Sequence, residues 1–221
     1  MEARRMSRAA DGRGPALLIC ERAPGNDNRN NGNRNSSGNG RGRGVLFMPA
    51  SAARPRHVNL MVMAGGVLSV SMFGYRANWL GIRPMTGARR RPGRANYLVS
   101  VESQSCRGTG ISAAERCQTI NALGNPHSDG FAVKSPGHVM PCLVFEDEHP
   151  AEPDALVHHY CSARFGSLAT AWIDVLGHRG ELADIDYCRE LASAHGLPVL
   201  TAGDVRAFLA GCKQPGFGRV A

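Results

Sequence analysis

Two stretches of this 221-residue chain combine reactive side chains with backbone able to present them. In "RGTGISAAERCQTINALG", Gly108-Thr109-Gly110 precede Ser112, and Glu115 follows three residues later. That Ser/Glu spacing is a capping box and predicts a helix from about Ala113 to Leu123, ended by Gly124. Thr109, Gly110 and Ser112 then stand at a helix N-terminus, where unpaired N–H groups and the helix dipole favour an anion. The stretch reads as a phosphate site, with a plain capped helix after a glycine turn as the alternative. In "SPGHVMPCLVF", His138 sits on a Pro-Gly turn before an apolar strand, exposed enough to act as acid or base near neutral pH. A third stretch, "ALVHHYCSARFGSLATAW", reads as a helix carrying His158 and His159. Neighbours on a helix point about 100° apart, so only one of the two can ligate a metal from there.

These groups need elements to hold them. "PALLIC" reads as a short buried strand. The following stretch "GNDNRNNGNRNSSGNGRGRG", residues 25 to 44, holds no large apolar side chain and reads as a disordered loop or linker. "VLFM" is extended, a helix runs from about Arg54 to Met63 with Gly65-Gly66 as its stop, and "VLSVSM" is extended again. "NYLVSVES", 96 to 103, alternates like one half-buried strand, and "EDEHPAEPD", 146 to 154, is an acidic surface loop. "AWIDVLG" is a strand leading to His178. A helix "DIDYCRELASAH" stops at Gly196, "LPVLT" is extended, and Thr201 with Asp204 starts a last helix that Gly211 ends. The pattern predicts a mixed α/β or α+β domain with helices around a sheet. Its parts are a basic N-terminal region over 1–44, the main domain over 45–211 and a frayed tail over 212–221.

A net charge of +8 raises the question of nucleic acid, but nine arginines and four acids fall in the first 44 residues, and a second basic knot is "ARRRPGR". Neither carries interleaved aromatics that stack bases, so a nucleic-acid role is not expected. No run of eighteen apolar residues suggests a membrane span, and the charged "MEARRMSRAADGRG" lacks a signal's apolar centre. Seven scattered cysteines without a C-x-x-C pair predict reduced thiols in a cytoplasmic chain.

Read in order, "VLFMPASAARPRHVNLMVMAGGVLSVSM", "LGIRPM", "LVSVES", "GTGISAAERCQTI", "SPGHVMP" and "CRELASAHGLPVLTAGDVRAFL" resemble 3,4-dihydroxy-2-butanone 4-phosphate synthases of riboflavin biosynthesis, from about Val45 to Leu209. The resemblance implies that family's compact α+β fold, a homodimer with active sites at the interface, and Mg²⁺-dependent conversion of ribulose 5-phosphate to formate and a four-carbon phosphate. It makes a phosphorylated pentose the expected small-molecule partner. The family's acidic loop falls on "GRGRGV", so Arg41 and Arg43 stand where it has glutamates and Val45 where it has aspartate. His138 matches the histidine of the Pro-Gly-His turn. His158 is placed at the metal histidine, His159 at the threonine after it, Ala155 at an arginine, and His178 at a late catalytic glutamate. The resemblance thus implies His138 and His178 as catalytic groups, Thr109, Gly110, Ser112, Arg41 and His159 as substrate contacts, and His158 as the metal ligand. With arginines in place of glutamates, two other readings stand beside the synthase: a divergent sugar-phosphate enzyme of a specialised biosynthetic pathway, and a catalytically silent binding partner.

Overall fold

The computed structural model describes residues 13–21, 42–85, 95–146, 150 and 152–212. Arg41, most of the Asn/Gly/Arg stretch, the arginine knot at 89–91 and the tail beyond Cys212 lie outside them. The strands are β1 (Ala16–Cys20), β2 (Arg43–Pro49), β3 (Ser69–Phe73), β4 (Asn96–Tyr97), β5 (Val101–Ser103), β6 (Val133–Val144), β7 (Thr170–Asp174) and β8 (Val199–Thr201). The helices are α1 (Pro55–Ala64), α2 (Gly74–Trp79), α3 (Ala113–Gly124), α4 (Pro153–Phe165), α5 (Ile185–His195) and α6 (Ala202–Gly211).

Among the described residues the strands form one mixed sheet in the order β4-β6-β3-β7-β2-β1-β8, with β5 beside β6. One face, carrying Leu17, Leu46, Met48, Val70, Met72 and Ile173, packs on α1, α3 and α5. The other, carrying Leu18, Val45, Phe47, Cys142 and Trp172, packs on α4 and α6. Burial on both sides is why "VLFM" reads as an unbroken apolar run rather than an alternation. The helix boundaries follow the caps. Ser112 accepts from the Glu115 N–H, Asp184 from that of Tyr187, and Thr201 and Asp204 close a full capping box.

Three expectations shift. Arg43 and Gly44 belong to β2 rather than to a disordered loop, and β1, from the region set apart as 1–44, pairs with both β2 and β8 inside the sheet. "NYLVSVES" is two strands, because β4 pairs with Cys142 and Leu143 at one end of β6 while β5 pairs at the other. Leu98 and Val99 bond instead to Pro141 and Arg83. His138 lies within β6 and not on a turn before it. Val101 faces Val139 while Glu102 faces Lys134, so Ser135 to His138 bulge out of the ladder. Gly137 lies so close to the Val101 backbone that a Cβ there would overlap it.

The far end of α3 is fixed by Arg76 of α2, only 3% exposed. Its guanidinium donates to the carbonyls of Ala122, Leu123, Asn125 and Ser128 at 2.7 to 3.3 Å. A cation at a helix C-terminus meets the negative end of the dipole and satisfies carbonyls that have no helical partner. Replacing Arg76 with Met should therefore cost about 3 kcal/mol in chemical denaturation, since several buried acceptors lose their donor together. A loss below about 1 kcal/mol would show that α3 is held otherwise.

Candidate active-site cleft

The polar groups gather at one end of the sheet. Met140, Ser69, Trp172 and Phe47 form a row across β6, β3, β7 and β2. Asp174 lies two residues beyond that row on β7 and His138 two residues beyond it on β6. Side chains two apart share a face, so Asp174 points with Trp172 toward the α4 side. With strands about 4.8 Å apart, regular geometry would put the backbones of the two residues roughly 10 Å from each other.

On the β6 side, His138 Nδ1 stands 3.8 Å from Glu102 Oε2, and Lys134 Nζ stands 3.3 Å from Glu102 Oε1. Gly110 closes over the pair, with no room for a Cβ between it and the Glu102 carboxylate. The bulge thus carries a half-exposed imidazole beside a mostly buried carboxylate, within charge-pair distance but beyond a hydrogen bond. The glycine loop beside it is already engaged. Gly108 N–H donates to Glu115 Oε1 at 2.9 Å, and the Ser112 hydroxyl donates to Glu115 Oε2 at 2.9 Å. The Ser112 hydrogen bond, with help from the backbone N–H groups of Gly108, Gly110 and Ser112, holds the Glu115 carboxyl below its usual range. The chain's own carboxylate therefore sits where an anion was expected. Thr109 stays exposed, and Ser112 is spent on the cap.

On the β7 side, Asp174 and Glu152, the latter preceding the first turn of α4, flank the Arg43 guanidinium. Arg43 lies 3.8 Å from Asp174 Oδ1 and 4.0 Å from Glu152 Oε2. Burial pushes the Asp174 and Asp154 carboxyls up, and Arg43 pulls both back. Burial also raises the Tyr97 phenol, which stands among Cys142, Ser69, Asp174 and Asp154. The thiols nearby are inert at neutral pH: burial pushes Cys20 up to about 11 and Cys142 well above the ordinary thiol range. A separate groove of about 1120 Å³ lies between α1 and α5, over the opposite face, lined by Arg56, His57, Met63, Tyr187 and His195 among others. It holds no carboxylate, so the cleft is placed by its chemistry rather than by concavity.

His158 and His159 do not join this cleft. His158 is fully buried, with Nδ1 3.0 Å from Thr170 Oγ1 and its ring 4.4 Å from Phe73. His159 bonds the Phe145 carbonyl at 3.1 Å and also packs on Phe73. Phe73 ends β3, four residues from Ser69, which at about 3.3 Å per residue is some 13 Å from the cleft end. The structure therefore does not bring His158, placed at the metal histidine, or His159, placed at a substrate contact, together with His138, Glu102 and Asp174. Among the described residues no three His, Cys, Asp or Glu side chains gather as a metal site. His178 is exposed on the turn after β7 and packs on Tyr187 of α5, over the other face. Asp174, four residues earlier, is the acid that stands at this end of β7, beside Arg43. The sequence carries one signal for Asp174, an acid ending the apolar run "TAWID". Glu102 looks like any outward polar position of an alternating strand.

Against known proteins, a family model describing 3,4-dihydroxy-2-butanone 4-phosphate synthase matches residues 38–208. The chain is 30% identical over 163 residues to the 3,4-dihydroxy-2-butanone 4-phosphate synthase of Ralstonia nicotianae, covering 72% of each. It is 31% identical to the riboflavin biosynthesis protein RibBA of Rhodococcus erythropolis, covering 74% of this chain but only 40% of that longer one. A solved 3,4-dihydroxy-2-butanone 4-phosphate synthase in complex with two magnesium ions superposes with a TM-score of 0.72 at 18% identity, over 94% of this chain and 95% of that one. At that identity the superposition speaks for the fold.

Buried without charge, His158 has its pKa lowered to about 3 by loss of solvent. The unfolded chain takes up that proton near pH 6.5 and the folded chain does not, so stability falls as pH drops from about 6.5 toward 3, by up to about 1.4 kcal/mol per unit. His158→Leu removes this term, and the acid-unfolding midpoint followed by circular dichroism should move to lower pH. An unchanged midpoint would mean that the imidazole is not held neutral.

Proposed function

Because the chain belongs to the 3,4-dihydroxy-2-butanone 4-phosphate synthase family, we propose that its cleft binds a phosphorylated pentose of the ribulose 5-phosphate class and moves protons on it. The family's reaction converts ribulose 5-phosphate to 3,4-dihydroxy-2-butanone 4-phosphate and formate in riboflavin biosynthesis. Its chemistry begins with loss of a proton from a carbon next to the ketone, giving an enediol. The observation that carries the reading is His138 on its bulge, half-exposed and 3.8 Å from Glu102. In this reading His138 takes that proton and returns it, and Glu102 steadies the imidazolium that forms. Asp174 accepts from a sugar hydroxyl, and Lys134 and Thr109 are the described groups available to the phosphate, Arg41 lying outside the described residues. His178 takes no part.

Magnesium is the family's cofactor, but the described residues do not fit it. The two carboxylates that face each other here, Asp174 and Glu152, have the Arg43 guanidinium between them. A guanidinium carries five donors and no lone pair, so it is no ligand for Mg²⁺ and repels it. No step is routed through a metal.

Two copies pairing, as the resemblance implies, is part of the same proposal. It is supported by exposed apolar side chains at Trp79, Ile111 and Phe131. A reducing, cytoplasmic setting is supported by all seven cysteines being unpaired. No helix among the described residues is long and apolar enough to cross a membrane. One observation favours a second reading, a silent family member that acts as a binding partner: the Glu115 carboxylate fills the loop where an anion was expected.

Purified protein incubated with ribulose 5-phosphate in D₂O should place deuterium beside the ketone, read by proton NMR, with formate followed in the same spectra. His138→Ala should slow the exchange by about 10²-fold or more while sugar-phosphate binding persists. Exchange that survives His138→Ala would remove the histidine from its role, and saturable binding with no exchange would favour the silent reading.

A further inference from the structure

We infer that Arg43 is the resident cation of this cleft, holding the place between Asp174 and Glu152 that a divalent ion would need, so that the site takes its ligand without metal. The ligand half of the inference rests on the reading that a phosphorylated pentose binds here, whereas the metal half stands on the geometry alone. Arg43 enters at the first position of β2, and the β2–β7 register pairs Val45 with Asp174, which aims the guanidinium across the strand end. From there it faces two carboxylates contributed by separate elements, at 3.8 and 4.0 Å.

Neither distance is a hydrogen bond, so the guanidinium's donors are not spent on these partners. The opposite is true of Asp174. Its Oδ1 is buried and has no hydrogen-bond partner among the described residues. A buried acceptor left unmet is costly, and beside it stands a guanidinium with no side-chain hydrogen bond among the described residues. A ligand with adjacent hydroxyl and carbonyl oxygens resolves both, giving a proton to Asp174 Oδ1 and accepting from the planar fork of Arg43. Such vicinal oxygens are what a phosphorylated ketopentose offers. The positive fork can also stabilise negative charge developing on an enediolate oxygen, which is the service a divalent ion would otherwise give.

The test uses the full chain and two probes, ribulose 5-phosphate and Mg²⁺. Calorimetric titration of ribulose 5-phosphate should give the same affinity, within about twofold, in EDTA and in millimolar Mg²⁺, and Arg43→Gln should weaken it at least tenfold, as expected for loss of a charge-assisted contact. Without any sugar, Mg²⁺ should leave the melting temperature of the natural chain unchanged and raise that of Arg43→Glu, where three carboxylates would converge. Cooperative melts of both variants establish that they fold. The inference is overturned if Mg²⁺ raises the melting temperature of the natural chain, if sugar binding requires Mg²⁺, if Arg43→Gln binds as well as the natural chain, or if Arg43→Glu ignores the ion. Absence of sugar binding under every condition would sink the pentose reading and the ligand half, while the Mg²⁺ melts still decide whether Arg43 is the cation.

Discussion

The pairing of β2 with β7 is the constraint on which the cleft depends. Both faces of the sheet are packed by helices, so an ionised group can stand on the α4 face only where that helix has not yet covered it. The register Phe47 with Trp172 and Val45 with Asp174 brings the sheet to its end with an acid on β7 and Arg43 at the start of β2, opposite Glu152 at the start of α4. A slip of one residue would turn Asp174 into the apolar layer under α1 and α5 and Ile173 out toward the cleft. The same pairing also fixes Phe47 and Trp172 in the layer beneath α4, so packing and site share one register.

The second half of the cleft is held by close backbone approach instead of burial. The bulge of β6 projects His138 because four residues leave the ladder, and Gly137 is the only residue type that lets the bulge lie against Val101. Gly110 does the same for the loop over Glu102. At the other end of α3, Arg76 holds the last carbonyls, and the Ser112–Glu115 cap closes its first turn. That helix is consequently pinned at both ends, which keeps the loop of Thr109 and Gly110 beside the bulge. The cap also commits Glu115 to the N–H groups that would otherwise attract a phosphate.

The chain shares its family's scaffold, and at the end of β7 it sets an arginine among carboxylates. The Arg43 guanidinium puts a positive charge beside the carboxylates of Asp174 and Glu152. The carboxylates near Arg43 show the two opposing influences plainly, since burial raises Asp174 and Asp154 while the guanidinium lowers them.

Much of the fold was legible in the residues. Caps at Ser112, Asp184 and Thr201, stops at Gly65 and Gly196, and unbroken apolar runs such as "VLFM" are local signals, and local signals set element type and ends. His138 was legible as a reactive group because its neighbours in sequence are unusual. The places of Glu102, Asp174 and Glu152 were not legible, and the sequence did not show that His158, His159 and His178 stand apart from His138. Whether a side chain faces a cleft, a core or solvent depends on strand register and on which helix lies across it, and these are set by residues distant in the chain. His158 and Asp174 show the difference. Counted along the sequence, the histidine looks like a ligand and the aspartate like the end of a strand; the pairing of β7 with β3 puts the first beside Phe73 in the core, and its pairing with β2 puts the second beside Arg43 at the open end of the sheet.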